Sequence, residues 1–498
     1  MNIKPINAQP NPEFLIKSIS EQGYTLETAL SDLIDNSITA ESNKIEILTE
    51  SIDGFISVFI SDNGCGMSSE QLMDNMQFPS NDMEKVRNDN DLGRFGLGMK
   101  TASFSQTRKF TVLSRTLESD EFSALRWDVG HLRKTGRWEI IAVTEKEKKD
   151  IRSRYFKASE NHLAHFENFR PSTIIVWEGL KNFDKIKDPL KRTDFLSEQL
   201  TDTTSEHLSI VFHKFMEKPS EPLKIRLNNK LIKSFNPFRS SEGEESRALE
   251  QRDLPLRNDI LRIQGHVLPV SAVDNQRSWS TPNKNLLDME GLYIYRGNRL
   301  IYFGGWNGII RKQRKLNLAR LKIQVGNIDD DALQLNVSKS KITIPHELRM
   351  GVLRYINFLK QEAEKEYNNR GLRRAVKRNN ENRHDLLSKQ STTKGPVYSV
   401  NEEYPVVKLV MEGMKKEQLK YFRTFLRKIN LLINKQRYSE EGFSLLSASE
   451  EDWSDIIETA EKLKNTGLSS SLIFELLTND SGYDKNLLSE KLKNILNL

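Results

Sequence analysis

The 498-residue sequence contains a single cysteine, Cys65. That count excludes an internal disulfide framework and any cysteine-rich zinc site, and it suits a reducing cytosol. No apolar run approaches the ~18 residues of a membrane span. The longest candidates, such as Phe55 to Ile60, have the length of a buried strand. The first residues, MNIKPINAQPNPEF, lack the apolar centre of a signal peptide, so export is not expected and the chain reads as cytoplasmic, with no membrane partner. No internal repeat is present, and neither zinc-finger spacing nor an aromatic stacking platform occurs. What the chain does have is charge: 29% of residues are Asp, Glu, Lys or Arg against 37% hydrophobic, which fits a soluble globular protein with exposed helices or linkers. The net charge of +6 allows an acidic partner without requiring one. The length suggests about three domains at ~150 residues each.

Residues 1–185 alternate helices and strands with dense glycine punctuation. Thr25 is the expected N-cap of a helix over Leu26 to Ala40, with Leu26, Leu30, Leu33 and Ile34 as its apolar stripe. Strands are expected at Lys44 to Thr49, Gly54 to Ser61, Phe110 to Ser114 and Thr173 to Trp177, with a polar loop over Met76 to Asp91. Residues 186–350 form a second mixed region with a helix over Phe195 to Met216 and strands at Leu223 to Leu227, Leu292 to Tyr295 and Lys341 to Ile344. Residues 351–403 read as a basic helix or linker, and 404–498 as a helical C-terminal domain.

Four short segments carry the chemistry. In Asp32-Leu-Ile-Asp-Asn36, positions i and i+4 share a helix face, so the Asp32 carboxylate and Asn36 amide project together. An amide oxygen suits Mg²⁺, and a carboxylate beside it can orient a water for attack on phosphate. In Asp62-Asn-Gly64-Cys-Gly66-Met67, a carboxylate at a strand end can accept from an exocyclic amino group, while the glycines admit a flat ring close to the backbone. The third segment, Gly93-Arg-Phe-Gly96-Leu-Gly98-Met-Lys100, leads through Thr101 into a helix N-terminus, whose free amides suit phosphate. Lys100 in the first turn opposes the helix dipole unless an anion sits there. The spacing is neither a P-loop nor a Rossmann fingerprint. The fourth is Ser172-Thr173 at a strand start, where a hydroxyl can support Asp62 or contact a base. Each segment alone also fits an ordinary amphipathic helix, tight turn, flexible loop or strand.

Taken in order, these segments resemble the GHKL superfamily, which includes DNA gyrase B, the heat-shock ATPase chaperones, histidine kinases and MutL. The resemblance implies an α+β chain: a Bergerat-fold α/β sandwich ATPase domain, a transducer-like α/β domain and a helical C-terminal region. It implies ATP and Mg²⁺ as ligands, with Asn36 on the metal, Asp62 reading adenine, and Gly64, Gly66, Met67 and Thr173 around the base. Gly93, Gly96, Gly98, Lys100 and Thr101 would wrap the phosphates, under a lid over Met76 to Leu92. Hydrolytic members usually carry Glu where this chain has Asp32. Asp is one methylene shorter, setting the carboxylate back by about 1.5 Å, so slow hydrolysis is expected.

Within the superfamily a histidine kinase is not expected, because the first of the eight histidines is His131, well after Asp32. The stretches Leu223 to Ile232, Phe235-Asn-Pro-Phe238 and Gly291 to Ile301 resemble a transducer domain, the last in its MORC-family form. In such proteins a transducer lysine reaches the terminal phosphate on dimer closure, and Lys339 and Lys341 are the candidates. The expected function is a nucleotide-gated clamp that closes as an ATP-dependent homodimer on double-stranded DNA. Its expected setting is prokaryotic anti-phage defence or a restriction-type system with a nuclease or helicase partner. The alternatives are a chaperone-like ATPase acting on protein clients and a topoisomerase B-type subunit. Arg370, Arg373, Arg374, Lys377, Arg378 and Arg383 are the candidate contacts to the phosphate backbone.

Overall fold

The computed structural model describes residues 10–21, 23–78, 98–160, 166–256, 259–326, 345–376, 386–392, 395–435, 450–478 and 492–496. It forms two compact units, Met1–Lys360 and Gln361–Leu498.

The first unit opens with helices α1 (Pro12–Ser20) and α2 (Leu26–Thr39), then the antiparallel hairpin β1 (Lys44–Ile52) and β2 (Phe55–Asp62). Helices α3 (Ser69–Met76) and α4 (Gly98–Gln106) precede β3 (Lys109–Ser114), β4 (Ser123–Asp128), α5 (Val129–Thr135), β5 (Ile141–Ala142), α6 (Glu145–Glu160) and β6 (Thr173–Glu178). Helix α7 (Pro189–Glu198), a π-turn (Gln199–Thr204), α8 (Ser205–Val211) and α9 (His213–Met216) lead to the short strands β7 (Lys224–Leu227) and β8 (Lys230–Leu231). The resulting sheet has eight strands in the order β5-β4-β3-β6-β2-β1-β7-β8.

Alternation along β2 sorts the two faces of this sheet. Ile56, Val58 and Ile60 join Leu26, Leu30, Leu33 and Ile34 of α2 in one core. Phe59 points the other way, to Ile151 and Tyr155 of α6. Asp62 has the parity of Ile60, so its carboxylate emerges on the α2 side. That parity sets the candidate site.

Residues 223–232, expected within the second domain of 186–350, extend this first sheet: β7 runs parallel to β1, with Glu46 opposite Arg226. Both side chains are fully buried, and Arg226 Nη2 donates to Glu46 Oε1 at 2.5 Å while Tyr155 donates to Oε2 at 2.6 Å. A buried carboxylate left alone would be costly, so the pair fixes β7 in this register.

A five-stranded sheet follows, ordered β12-β11-β13-β10-β9. It is built from β9 (Arg247–Leu256), β10 (Asp259–Val267), β11 (Gly291–Arg296), β12 (Arg299–Phe303) and β13 (Ala319–Val325), with the short helix α10 (Ser271–Asp274) after β10. Strands β9, β10 and β13 are not among the expected elements, because Arg, Gln and Lys interrupt their apolar alternation. Helix α11 (His346–Val376) brings Tyr355 to the Gly265 amide at 2.8 Å, and a Cβ at Gly265 would lie 3.2 Å or less from Leu249, Leu359 and Tyr355. The expected strand at Lys341 to Ile344 lies outside the described residues.

The second unit contains strands β14 (Leu387–Thr392) and β15 (Gly395–Val400), then α12 (Pro405–Glu412), α13 (Lys416–Lys435), α14 (Glu450–Asn465) and α15 (Ser470–Thr478). Residues 387–400, read from sequence as linker, pair as an antiparallel hairpin. The reason is tertiary: Asn434 on α13 accepts from the Tyr398 amide and donates to its carbonyl, and Asn430 accepts from the Val400 amide. Edge groups that would otherwise need water are thereby paired. Among the described residues no helix is long and apolar enough to cross a membrane.

Candidate nucleotide-binding site

Thr25 caps α2 through a capping box with Thr28. The helix then buries Asp32 and Asp35 and leaves Asn36 exposed one turn beyond Asp32. Asp32 is not alone. Tyr24 donates its hydroxyl to Asp32 Oδ2 at 2.6 Å, and Thr101 on α4 bonds Tyr24 in turn. Burial, and then the Asp32 charge, hold the Tyr24 phenol well above its ordinary value, so it remains a donor. A Cβ at Gly98 would sit 3.9 Å from Asp32 Oδ2, so the start of α4 faces the same carboxylate.

Asp62 is the second anchor. Its Oδ2 accepts from Ser37 Oγ at 3.0 Å and its Oδ1 from the Gly64 amide at 2.9 Å. Ser172 Oγ lies 3.2 Å from the Asp62 carbonyl oxygen and 3.5 Å from Oδ1. Burial pushes the Asp62 carboxyl upward, and these donors partly offset it. Strand register brings Asp62, Thr173 and Ser114 side by side across β2, β6 and β3. Ser114 Oγ lies 2.9 Å from Thr173 Oγ1 and accepts from the Met67 amide at 3.0 Å. Gly66 has φ +66°, and a Cβ there would lie 1.8 Å from the Arg115 carbonyl oxygen, so only glycine fits. At Gly64 a Cβ would meet the Ala40 carbonyl at 2.6 Å.

The structure therefore brings Asp32, Asn36, Asp62, Gly64, Gly66, Met67, Gly98, Thr101 and Thr173 into one neighbourhood at the strand ends. Lys100 is placed differently from the expectation of a phosphate contact. Its side chain is fully buried and donates to the carbonyls of Asn75 and Gln77 at 2.8 and 2.7 Å. Burial lowers its pKa to about 8. The Trp127 indole donates to Met76 O at 3.0 Å, and Phe78 packs among Phe104, Trp127 and Trp138. Lys100 and Trp127 thus satisfy carbonyls at the end of α3 where the expected lid begins.

Gly93, Gly96 and most of the expected lid lie outside the described residues, as do Lys339, Lys341, Lys377, Arg378 and Arg383. Arg370, Arg373 and Arg374 fall on α11. Sequence reasoning missed Tyr24, Ser37 and Ser114 as supports. Tyr24 is eight residues from Asp32, and Ser37 and Ser114 reach their partners only through the fold, so none carries a local signal. It also missed the ion pair between Asp35 and Arg299 of β12.

A buried carboxylate at a strand end, a close-approach glycine turn and an exposed helix amide beside an acid are the donor set that an adenine nucleotide and its Mg²⁺ require. Among the described residues no group of three or more His, Cys, Asp or Glu could hold a metal ion. Residues 24–160 match the family model described as "Histidine kinase-, DNA gyrase B-, and HSP90-like ATPase". The chain therefore carries an ATPase domain of the GHKL superfamily. No curated protein matches it.

Proposed function

We propose that this chain is a slow ATPase working as a MORC-like, nucleotide-gated dimeric clamp on duplex DNA, in a defence or restriction-type setting with a nuclease or helicase partner. The observation that carries the clamp reading is the buried bond from Arg299, on the five-stranded sheet, to Asp35, between Asp32 and Asn36 on the catalytic helix. A nucleotide that shifts α2 must then also load the second sheet, which is the physical requirement for gating.

In this reading Asp62 accepts a hydrogen bond from the adenine amino group while Ser37, Gly64 and Ser172 hold the carboxylate in place. Mg²⁺ at the Asn36 amide would neutralise charge on the phosphates. Asp32 orients water and takes its proton as that water attacks the terminal phosphorus and the bridging P–O bond breaks. Tyr24 fixes the acceptor carboxylate. Lys339 and Lys341 are the proposed transducer lysines, and the basic run from Arg370 to Arg383 the proposed DNA contact.

The test is ATP turnover of wild type, Asp32→Asn and Asp32→Glu, each with and without duplex DNA or unfolded polypeptide. Light scattering with a non-hydrolysable analogue reads the oligomer. DNA stimulation and analogue-dependent dimers support the proposal. Stimulation by unfolded polypeptide alone replaces it with a chaperone-like role, and equal turnover in all three proteins removes Asp32 as the base.

A further inference from the structure

Outside the nucleotide site, one face of the five-stranded sheet collects cations, with Asp253 placed on that face opposite Arg262 and Glu217 near Tyr295 as its acids. Residues paired across neighbouring strands share a face. The register sets His266 and Gly291 beside Arg320, and Gln264 and Tyr293 beside Lys322. Helix α9 approaches the same face: Lys214 Nζ lies 3.8 Å from the Tyr295 ring centroid, and His213 Nε2 lies 3.3 Å from the Tyr295 hydroxyl.

Arg320 is 0% exposed, yet among the described residues only its Nη2 is used, donating to Trp279 O at 2.6 Å, while Nε and Nη1 find no partner there. The Trp279 and Tyr293 rings, at 5.9 and 5.7 Å, account for the guanidinium carbon but not for those donors. His266 is also buried. Its Nδ1 is 3.0 Å from Ser246 Oγ, and its Nε2 has no partner among the described residues. Neither Lys214 nor Lys322 has a carboxylate partner among the described residues. Burial and mutual repulsion lower the pKa of Lys214 to about 8 and that of His266 to about 4. Three cations repel one another and three buried nitrogens, Arg320 Nε and Nη1 and His266 Nε2, stay unsatisfied unless a counter-anion joins them.

We propose that Arg320, His266, Lys322 and Lys214 form a binding site for a small phosphate-class oxyanion, either free phosphate or the terminal group of a phosphomonoester. A tetrahedral oxyanion offers several acceptors to donors that the register places on one face, beside the Phe238 ring that packs on His266, and charge-assisted bonds of this kind are the strong ones. The burial of Arg320, His266 and Tyr295 favours a small ligand over a duplex backbone, while Lys214 and Lys322 are half-buried.

The experiment titrates inorganic phosphate into the full chain by calorimetry, at constant ionic strength and with saturating ADP, so that the nucleotide pocket is filled. Saturable binding is expected, weakened about tenfold or more in Lys214→Gln/Lys322→Gln. Half-buried lysines keep that double variant foldable, and Arg320→Met provides the buried arm. Phosphate, but not chloride, should raise the Tm of wild type and not of the double variant. Binding that ADP abolishes belongs to the nucleotide pocket, and overturns this site while leaving the ATPase reading intact. No saturable binding, or equal binding in the double variant, overturns it as well. Loss of affinity only for a duplex oligonucleotide means that these lysines face a nucleic-acid backbone, and the small-anion site is then wrong.

Discussion

Arg299 Nε donates to Asp35 Oδ1 at 2.8 Å, with both side chains at 7% exposure or less and the guanidinium 4.8 Å from the Phe212 ring. The pair joins two sheets of one unit through the helix that also carries Asp32 and Asn36. Removing one partner leaves a buried charge unpaired, which typically costs about 3–5 kcal/mol. Arg299→Met is expected to lower the Tm strongly, and Arg299→Met with Asp35→Leu to recover much of the loss. In the double variant, nucleotide should still bind, but analogue-driven dimerisation should fail. Dimerisation at wild-type nucleotide concentrations in that variant would show that the pair is structural only.

Tyr24→Phe removes the donor on Asp32 Oδ2 together with the bond between Thr101 and the Tyr24 hydroxyl. Because the carboxylate loses orientation rather than substrate contact, kcat should fall about tenfold with KM for ATP nearly unchanged. An unaltered kcat, or a loss confined to KM, would rule Tyr24 out as a positioning residue.

Asp62→Asn tests function against stability. The folded Asp62 carboxyl titrates above its unfolded value, with burial as the largest cause. Its contribution is therefore fully present below the unfolded value near ~3.9 and is lost as pH rises through the folded value. The Asn variant should lose this pH dependence and be at least as stable as wild type near neutrality, while adenine nucleotide affinity drops. Chemical denaturation at acid and neutral pH, paired with nucleotide calorimetry, reads both effects.

Lys100→Met removes the donor to the Asn75 and Gln77 carbonyls. Hydrogen exchange at the end of α3 should accelerate, because those acceptors lose a buried partner. With the lysine pKa lowered to about 8, the folded state binds fewer protons than the unfolded chain between about pH 8 and ~10.4. Wild-type stability relative to Lys100→Met should rise across that window. A pH-independent difference would mean that burial does not govern this ammonium.

Several features were legible in the sequence because they depend on neighbours along the chain. The N-cap at Thr25, the shared face of Asp32 and Asn36, and the strand before Asp62 all follow from local periodicity. The Gly66 turn was legible as a glycine, though only the fold shows the Arg115 carbonyl that excludes a side chain. Lys100 shows the opposite case. Its position in a first helical turn suggests an anion, whereas the folded chain offers two carbonyls from α3.

The sequence by itself determined the order of the chemical segments and, through the family those segments resemble, the expectation of an α+β chain, since that resemblance rests on residue type and spacing. Tertiary structure alone decided that Tyr24 holds Asp32, that β7 completes the first sheet, that Arg299 reaches Asp35, and that Arg320 is buried with donors to spare. The physical reason is distance along the chain. Periodicity reports which way a side chain faces, but only register and packing choose the partner that meets it.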